Sequence, residues 1–331
     1  MKDEGRNMKA ITTAVAAAMM AAALGAAAGP YPDHPVSWVV PFAPGGATDT
    51  LGRVFAERMA RGAAQTITVE NIPGAGGTSG AARVARAQPD GYAFLVGHVG
   101  YMAAAPSLYK DLPYDPVRDF EAVVRLPDTP MVLICGPRLG QRDIRELIEY
   151  ARAHPGKLDF ANAGVGSAGH LVAALFESAV KADIANVPYK GNAPAMTDIL
   201  GGRVDCMFDQ SNTALPQVRG GKVAALAVTS RERIPQLPDV PTLQESGLPG
   251  FEAATWYGIY APHGTAPQAV QWMVDRFDDA MKDRAFTDSL VQQGYVMVPP
   301  PERGPAALAS QTRREVERWR KVIAAAHIVA N

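Results

Sequence analysis

Two glycine-rich segments contain the residue types from which an anion-binding site is built. The first reads PFAPGGATD over residues 41–49 and the second reads NAGVGSAGH over 162–170. Each follows an apolar, strand-like run and precedes a helical pattern, which places main-chain N–H groups at the start of a helix. Glycine lets backbone approach a ligand closely, and a helix N-terminus favours negative charge. Both segments therefore predict a cradle for an oxyanion.

The first segment does not match the phosphate-binding motifs of nucleotide-binding proteins. It is neither G-x-G-x-x-G nor G-x-x-x-x-G-K-[ST], so the sequence gives no support to a dinucleotide or nucleoside triphosphate site. Thr48 and Asp49 also have a structural interpretation, because either side chain can cap the helix that follows. For Asp49, helix capping is favoured over ligand contact on the residues alone.

Ser167 and His170 of the second segment suggest a different class of protein, an exported hydrolase or esterase. Acyl transfer needs a serine nucleophile beside a histidine base that a third group orients. A nucleophile elbow requires G-x-S-x-G, but Val165 stands two positions before Ser167, and no third group is evident. The sequence therefore favours ligand binding by Ser167, with His170 as a capping or packing residue, over catalysis.

Three further polar residues follow strand-like runs at places where ligand sites gather in α/β proteins. They are Thr78, Tyr189 and Asp209. Thr78 and Tyr189 have the alternative of capping or shaping their turns, whereas Asp209 is suited to orient a loop or to pair with a ligand hydroxyl or ammonium group. Another strand-like run is followed by candidates for the wall of a crevice, namely His98, Tyr101 and Met102.

The composition excludes several classes of function. The 331 residues include 32 Lys or Arg and 33 Asp or Glu, giving a net charge of -1, so nucleic acid is not an expected partner. The six histidines do not cluster at metal-ligand spacing, and no cofactor is predicted. Cys135 and Cys206 lie in apolar runs, where two buried thiols are favoured and a single disulfide stays possible in an oxidising compartment.

The first 28 residues have the layout of a secretory signal. Basic residues at positions 2, 6 and 9 precede an apolar run over 10–24 and the small residues AAA at 26–28. This pattern predicts export and cleavage after Ala28, because the apolar run is shorter than the roughly 20 residues that span a bilayer.

Strand-like runs alternate with helical patterns in two series, which is typical of parallel α/β architecture. The predicted strands are 36–42, 66–71, 92–97, 131–136, 158–164, 184–189, 204–209, 223–230 and 255–262. The last strand and the helices after it are too few for a domain of their own, so they are expected to complete the first lobe. The sequence thus predicts one lobe over 31–128 plus 250–331, an inserted lobe over 129–249, and a ligand crevice between them.

Nine motifs in fixed order resemble the substrate-binding receptors of tripartite tricarboxylate transporters, the Bug family. They include YPDHPVSWVVPFAPGGATD, VENIPGAGGTSGA, HPGKLDFANAGVGSAGHL, VPYKGNAPAMTDILGGRVDCMFD and WYGIYAPHGT. The resemblance implies a two-lobed periplasmic-binding-protein-like fold and a periplasmic receptor, not an enzyme. Such a receptor closes on a small organic carboxylate and delivers it to the permease subunits in the membrane. A monomer is expected, and a sensor that feeds a signalling system stays open as an alternative.

The resemblance also implies which residues hold the carboxylate, mainly through main-chain N–H groups and water. In the first lobe these are Phe42, Ala43, Gly45, Gly46 and Asp49. In the second lobe they are Gly166, Ser167, Ala168 and His170, with Asp209 of the MFD segment as a further residue lining the site. Where many relatives read T-H-A-I-N-P-S-L-Y, this chain reads YMAAAPSLY over 101–109. That departure predicts a less polar wall for the distal end of the ligand.

Overall fold

Strands and helices alternate along most of the chain, as the sequence predicts. The computed structural model describes residues 31–139, 143–326 and 328, so the predicted signal peptide over 1–28 lies outside the described residues. The strands are β1 (Val36–Val40), β2 (Ile67–Asn71), β3 (Ala93–His98), β4 (Phe120–Cys135), β5 (Asp159–Asn162), β6 (Ala185–Pro188), β7 (Cys206–Gln210), β8 (Ala224–Val228) and β9 (Ala254–Pro262).

Helices follow most of these strands. They are α1 (Ala47–Ala60), α2 (Thr78–Ala85), α3 (Ala105–Leu108), α4 (Ile144–Ala153), α5 (Ala168–Val180), α6 (Asn192–Leu200), α7 (Ser211–Arg219), α8 (Pro267–Lys282), α9 (Arg284–Gln292) and α10 (Pro305–Ala325). A short π-helix, Gly100–Ala104, connects β3 to α3. No helix in the described part of the chain is both long and apolar enough to span a bilayer.

The strands form one continuous arrangement in the order β2-β1-β3-β9-β4-β7-β5-β6, with β8 also paired to β4. At one end, β2 and β3 each pair in parallel with β1. At the other end, β6 and β7 each pair in parallel with β5. Strands β4 and β9 join the two ends through antiparallel pairs. We call β1–β3 with the turns after them the first half, and β5–β7 with the turns after them the second half. Each half has the strand–helix alternation that the sequence predicts, so the fold is α/β with two groups of parallel strands.

Strand β4 extends from the side of the first half to the side of the second half. Its residues Phe120 to Pro130 pair with β9, and Met131 to Cys135 pair with β7 on one side and β8 on the other. The sequence predicts a strand only from residue 131, because Pro127 and Pro130 indicate a break. Pro127 falls in an irregularity of the β4–β9 pairing, where the register shifts between Leu126 and Thr129, and Pro130 is the register partner of Ala254.

Both faces of the strands are covered, which explains their nearly continuous apolar sequences. In β1, Val36, Trp38 and Val40 pack into a core with α1, α8 and α9, while Val39 points into a second core on the opposite face. The period of two in a strand separates these side chains, since successive residues face opposite sides. The rigid strands thereby fix the turns at their carboxyl ends.

The described residues from His34 onward form one compact unit. The lobe boundaries at 31–128, 129–249 and 250–331 therefore stay predictions. Helices α7 and α9 were not predicted from the sequence. Within α7, Pro216 argues against a helix, yet the segment is helical and buries Ala214 and Leu215.

Cys135 and Cys206 form a disulfide across the antiparallel pair β4–β7. The two residues are register partners and their Cα atoms are 4.0 Å apart. The sequence favours two free thiols, because seventy residues separate the cysteines and nothing local indicates that they lie side by side. The pairing of β4 with β7 brings the sulfurs together, so the structure contains the single disulfide that the sequence left as an alternative.

Candidate functional site

The first glycine-rich turn is held in shape by Asp49. One carboxylate oxygen accepts hydrogen bonds from the N–H of Gly45 at 2.9 Å and from Nε of Arg53 at 3.0 Å, and the other accepts from Nδ2 of Asn71 at 2.8 Å. Burial raises the pKa of Asp49, but the hydrogen bonds from Arg53, Gly45 and Asn71 outweigh it and hold the pKa below its usual value. Asp49 thus orders the turn, and its oxygens are occupied within it.

Helix α1 begins at Ala47 with Gly46 as its N-cap, and no side chain caps it. The interpretation of Thr48 or Asp49 as the cap is therefore wrong, because both already lie in the first turn. Gly45 has φ +81°, a backbone conformation that favours glycine and lets the chain turn sharply into the helix. The N–H groups of Ala47 and Thr48 have no hydrogen-bond partner among the described residues. They are free to donate to a ligand.

The second glycine-rich turn has a similar design. Ser167 is the N-cap of α5, and its Oγ accepts a long hydrogen bond from the N–H of His170 at 3.4 Å. Nδ1 of His170 accepts from the N–H of Gly166 at 3.3 Å, and burial lowers the pKa of this histidine. In the part of the chain that the structure describes, nothing bonds to the N–H groups of Ala168 and Gly169. This turn also presents free main-chain donors.

These bonds do not form a catalytic pair. Oγ of Ser167 receives the main-chain N–H of His170, while the His170 ring bonds back to Gly166. A histidine base would have to contact the serine hydroxyl through a ring nitrogen. The geometry therefore does not support the hydrolase interpretation.

The two turns face each other around a small enclosed cavity, which we call the inner cavity. The volume that the centre of a water molecule can occupy in it is only about 10 Å³. Its walls come from both halves and are formed by Phe42, Gly46, Ala47, Thr48, His98, Ala163, Ser167, Ala168, Gly169, Asn192 and Gln210. The N-termini of α1, α5 and α6 converge here, and none of the lining residues is a lysine or an arginine. Helix N-termini supply positive partial charge, so the inner cavity is suited to an anion without a formal cation.

The floor of the inner cavity in the second half is a buried amide and carboxylate network. Nδ2 of Asn192 donates to a carboxylate oxygen of Asp209 and, at 2.7 Å, to Oε1 of Gln210. The other oxygen of Asp209 has no partner among the described residues, and burial raises the pKa of this carboxyl to about 6. Asn192 and Gln210 reach the cavity, whereas Asp209 lies behind them and positions Asn192. Sequence reasoning missed both residues, although each follows a predicted strand.

A larger pocket of about 920 Å³ lies beside the inner cavity, and Ala163 lines both. We call it the mouth. Its walls are Ala43, Gly74–Gly76, Tyr109, Ala163–Val165, Pro188–Lys190 and Pro194. The halves contact each other here, since the N–H of Ala43 donates to the main-chain oxygen of Lys190 at 3.1 Å. The two halves are therefore in contact at the mouth.

Several predicted site residues lie elsewhere. Oγ1 of Thr78 donates to the main-chain oxygen of Ala75 at 2.9 Å, which shapes its own turn. The hydroxyl of Tyr189 lines the mouth but donates to Asp198 at 2.8 Å. The sequence predicts a less polar ligand wall over 101–109, but residues 101–105 are buried in the core and line neither the inner cavity nor the mouth, so this part of the prediction is wrong. Of that segment, Tyr109 reaches the mouth.

Within residues 31–139, 143–326 and 328, the structure has no side-chain cluster suited to bind a metal ion. Histidine, cysteine, aspartate and glutamate side chains form no group of three that is able to hold an ion.

Comparison with known proteins agrees with this geometry. The profile of the tripartite tricarboxylate transporter family receptors matches residues 51–328. A curated relative from Pseudomonas sp. (strain P51), the UPF0065 protein in the tcbD-tcbE intergenic region, is 38% identical over 302 residues, which are 91% of this chain and 89% of that protein. Among solved structures, the periplasmic binding protein BugD is 41% identical with a TM-score of 0.87, covering 90% of this chain and 99% of BugD. MatC from Rhodopseudomonas palustris, solved with bound malate, is 38% identical with a TM-score of 0.85, and the match covers 88% of this chain and 100% of MatC.

Proposed function

We propose that this chain, which belongs to the tripartite tricarboxylate transporter receptor family (the Bug family), binds a small organic carboxylate in the inner cavity. The family consists of periplasmic solute-binding receptors and not of enzymes. The observation that supports the proposal most directly is the convergence of the N-termini of α1, α5 and α6, from both halves, on one cavity without a cation.

Both halves are needed for useful affinity. A hydrogen bond to a charged group contributes about 1.5–3 kcal/mol, so four main-chain donors supply roughly 6–12 kcal/mol before costs. A micromolar dissociation constant needs about 8 kcal/mol net of the entropy lost on association. The two free donors of one turn fall short, whereas the donors of α1 and α5 together suffice. Ligand affinity is therefore coupled to closure, since only the closed form brings both sets of donors to the ligand.

In this proposal the predicted site residues have distinct roles. Phe42, Gly46, Ser167 and Ala168 line the inner cavity and contact the carboxylate. Asp49 and His170 fix the two turns through their hydrogen bonds to Gly45 and Gly166. Ala43 and Tyr189 line the mouth, where the rest of the ligand leaves the inner cavity. Thr78 shapes its turn by donating to the main-chain oxygen of Ala75. Asp209 positions Asn192 by accepting a hydrogen bond from its side-chain amide.

We further propose that the mature chain works in the periplasm as a monomer and hands its ligand to the permease subunits of a tripartite transporter. Family membership and the signal-like first 28 residues support this assignment. Closure gives the permease a shape by which it distinguishes loaded from empty receptor.

Calorimetry on the mature protein, stripped of bound metabolites by unfolding and refolding, tests the proposal. The titrants are acetate, succinate, malate and citrate, with malamide as the neutral control. We expect at least one carboxylate to bind with a micromolar or lower dissociation constant and malamide to be far weaker, because helix N-termini favour the anion. Absence of binding by every carboxylate, or equal affinity for malamide, would contradict the proposal.

A further inference from the structure

His98 ends β3 and lines the inner cavity, whereas the sequence predicts for it only a place in the crevice wall and no chemical role. Its side chain is 1% exposed and lines the cavity wall. Nδ1 of the ring accepts a hydrogen bond from the main-chain N–H of Gly100 at 2.8 Å. An N–H donor requires an unprotonated Nδ1, so the proton of the neutral ring must be on Nε2.

The surroundings keep this ring neutral. It stacks on Phe42 with centroids 5.2 Å apart and meets the edge of Tyr257 at 5.9 Å, while Tyr101 lies 4.4 Å away. No carboxylate contacts it in the described part of the chain, and burial lowers the pKa of His98 to about 3. The ring is thus a neutral N–H donor rather than a cation.

Nε2 has no hydrogen-bond partner among the described residues. Among the amide side chains that line the cavity, Asn192 already donates through Nδ2 to Asp209 and Gln210. We infer that His98 is a ligand-contacting residue that donates from Nε2 to an oxygen of the bound carboxylate, alongside the main-chain donors of α1 and α5. The inference rests on the proposed function and names a side chain that determines affinity in the same site.

Two substitutions separate this role from a structural one, because asparagine and glutamine each mimic one ring nitrogen. His98→Asn places an oxygen near Nδ1 and keeps the bond to Gly100, but has no donor at the position of Nε2. His98→Gln places an amide near Nε2 but loses the acceptor for Gly100. The probe is whichever of acetate, succinate, malate and citrate binds the wild-type protein most tightly.

We expect His98→Asn to bind that carboxylate about tenfold to hundredfold more weakly, the effect of one lost hydrogen bond to a charge, while keeping its melting temperature. His98→Gln should bind within about threefold of the wild type despite a lower melting temperature. Equal losses of affinity in both variants, or no loss in His98→Asn, would overturn the inference. If the wild type binds none of the four, the proposed function fails first.

A measurement on the wild-type protein is independent of how the variants fold. Protein labelled with ¹⁵N-histidine should show the Nε2–H tautomer of His98, and the carboxylate should move that proton downfield. The Nδ1–H tautomer, or a proton that ligand does not shift, would also overturn the inference.

Discussion

The hydroxyl of Tyr109 donates a hydrogen bond to the main-chain oxygen of Val165, with the two oxygens 2.7 Å apart. Tyr109 follows α3 in the first half, and Val165 lies in the second glycine-rich turn, so this bond crosses the mouth. A Cβ at Gly76 would overlap the same carbonyl, which explains why glycine is needed there. The two halves are therefore in direct contact through this bond.

Removal of this contact should shift the protein toward an open form. We expect Tyr109→Phe to weaken carboxylate binding by about twofold to tenfold, because a neutral hydrogen bond contributes about 0.5–1.5 kcal/mol. Small-angle scattering should give a larger radius of gyration without ligand. Tyr189→Phe is the matched control, since Tyr189 also lines the mouth but bonds within the second half to Asp198. Identical behaviour of the two variants would show that the Tyr109 bond does not stabilise closure.

Proline has no main-chain N–H and suits the first position of a helix, so proline substitutions remove the free N–H groups of the helix N-termini one at a time. Ala47→Pro and Ala168→Pro each remove one N–H from the inner cavity. We expect each to weaken carboxylate binding by about tenfold or more, as measured by calorimetry. Arg284→Pro is the control, because it removes the corresponding N–H of α9, which does not face the cavity. Unchanged affinity in both cavity variants would refute main-chain recognition.

Stability should depend on pH through Asp209. Burial raises the pKa of this carboxyl to about 6 in the folded state, above the roughly 3.9 of an unfolded chain. The unfolded state therefore releases the proton first, and folding becomes less favourable as pH rises from about 4 to 6, with the full cost present above 6. Asp209→Asn removes this cost, which is on the order of 3 kcal/mol.

Denaturant titrations at pH 4 and pH 7.5 measure this effect. We expect the free energy of unfolding of Asp209→Asn, relative to the wild type, to be higher at pH 7.5 than at pH 4. Asp128, whose pKa is also raised to about 6 by burial, titrates in both proteins and cancels in the comparison. A pH-independent difference would mean that Asp209 titrates normally.

The disulfide should stabilise the fold without acting on the site. The Cys135–Cys206 bond has a sequence separation of 71 residues, and neither cysteine lines the inner cavity. A closed loop of this length restricts the unfolded chain by about 4 kcal/mol on the entropy model. The double variant Cys135→Ala, Cys206→Ala should lose stability of that order in guanidinium titrations, while carboxylate affinity stays the same. A variant as stable as the oxidised wild type would argue against the pairing.

The sequence predicted the glycine-rich turns because their signal is local. A glycine pair between a strand and a helix needs only its neighbours in the chain to take its conformation, and Gly45 does adopt a positive φ. Helix starts were less accurate, because Thr48 and Asp49 are both good caps, whereas α1 begins at Ala47 and Asp49 instead accepts a hydrogen bond from the N–H of Gly45. The sequence predicts too short a strand β4 because its prolines indicate a break, whereas Pro127 falls in an irregularity of the pairing with β9 and Pro130 pairs with Ala254.

Periodicity, glycine placement and the order of motifs determined the α/β class, the family and the two glycine-rich turns. The tertiary structure alone decided that His98, Asn192 and Gln210 share one cavity, that Tyr101 faces the core, and that Cys135 meets Cys206. The physical reason is the range of the interactions involved. Turns and helix ends follow from residues a few positions apart, whereas the cavity and the disulfide depend on which strands pair, a choice made by the packing of the whole chain.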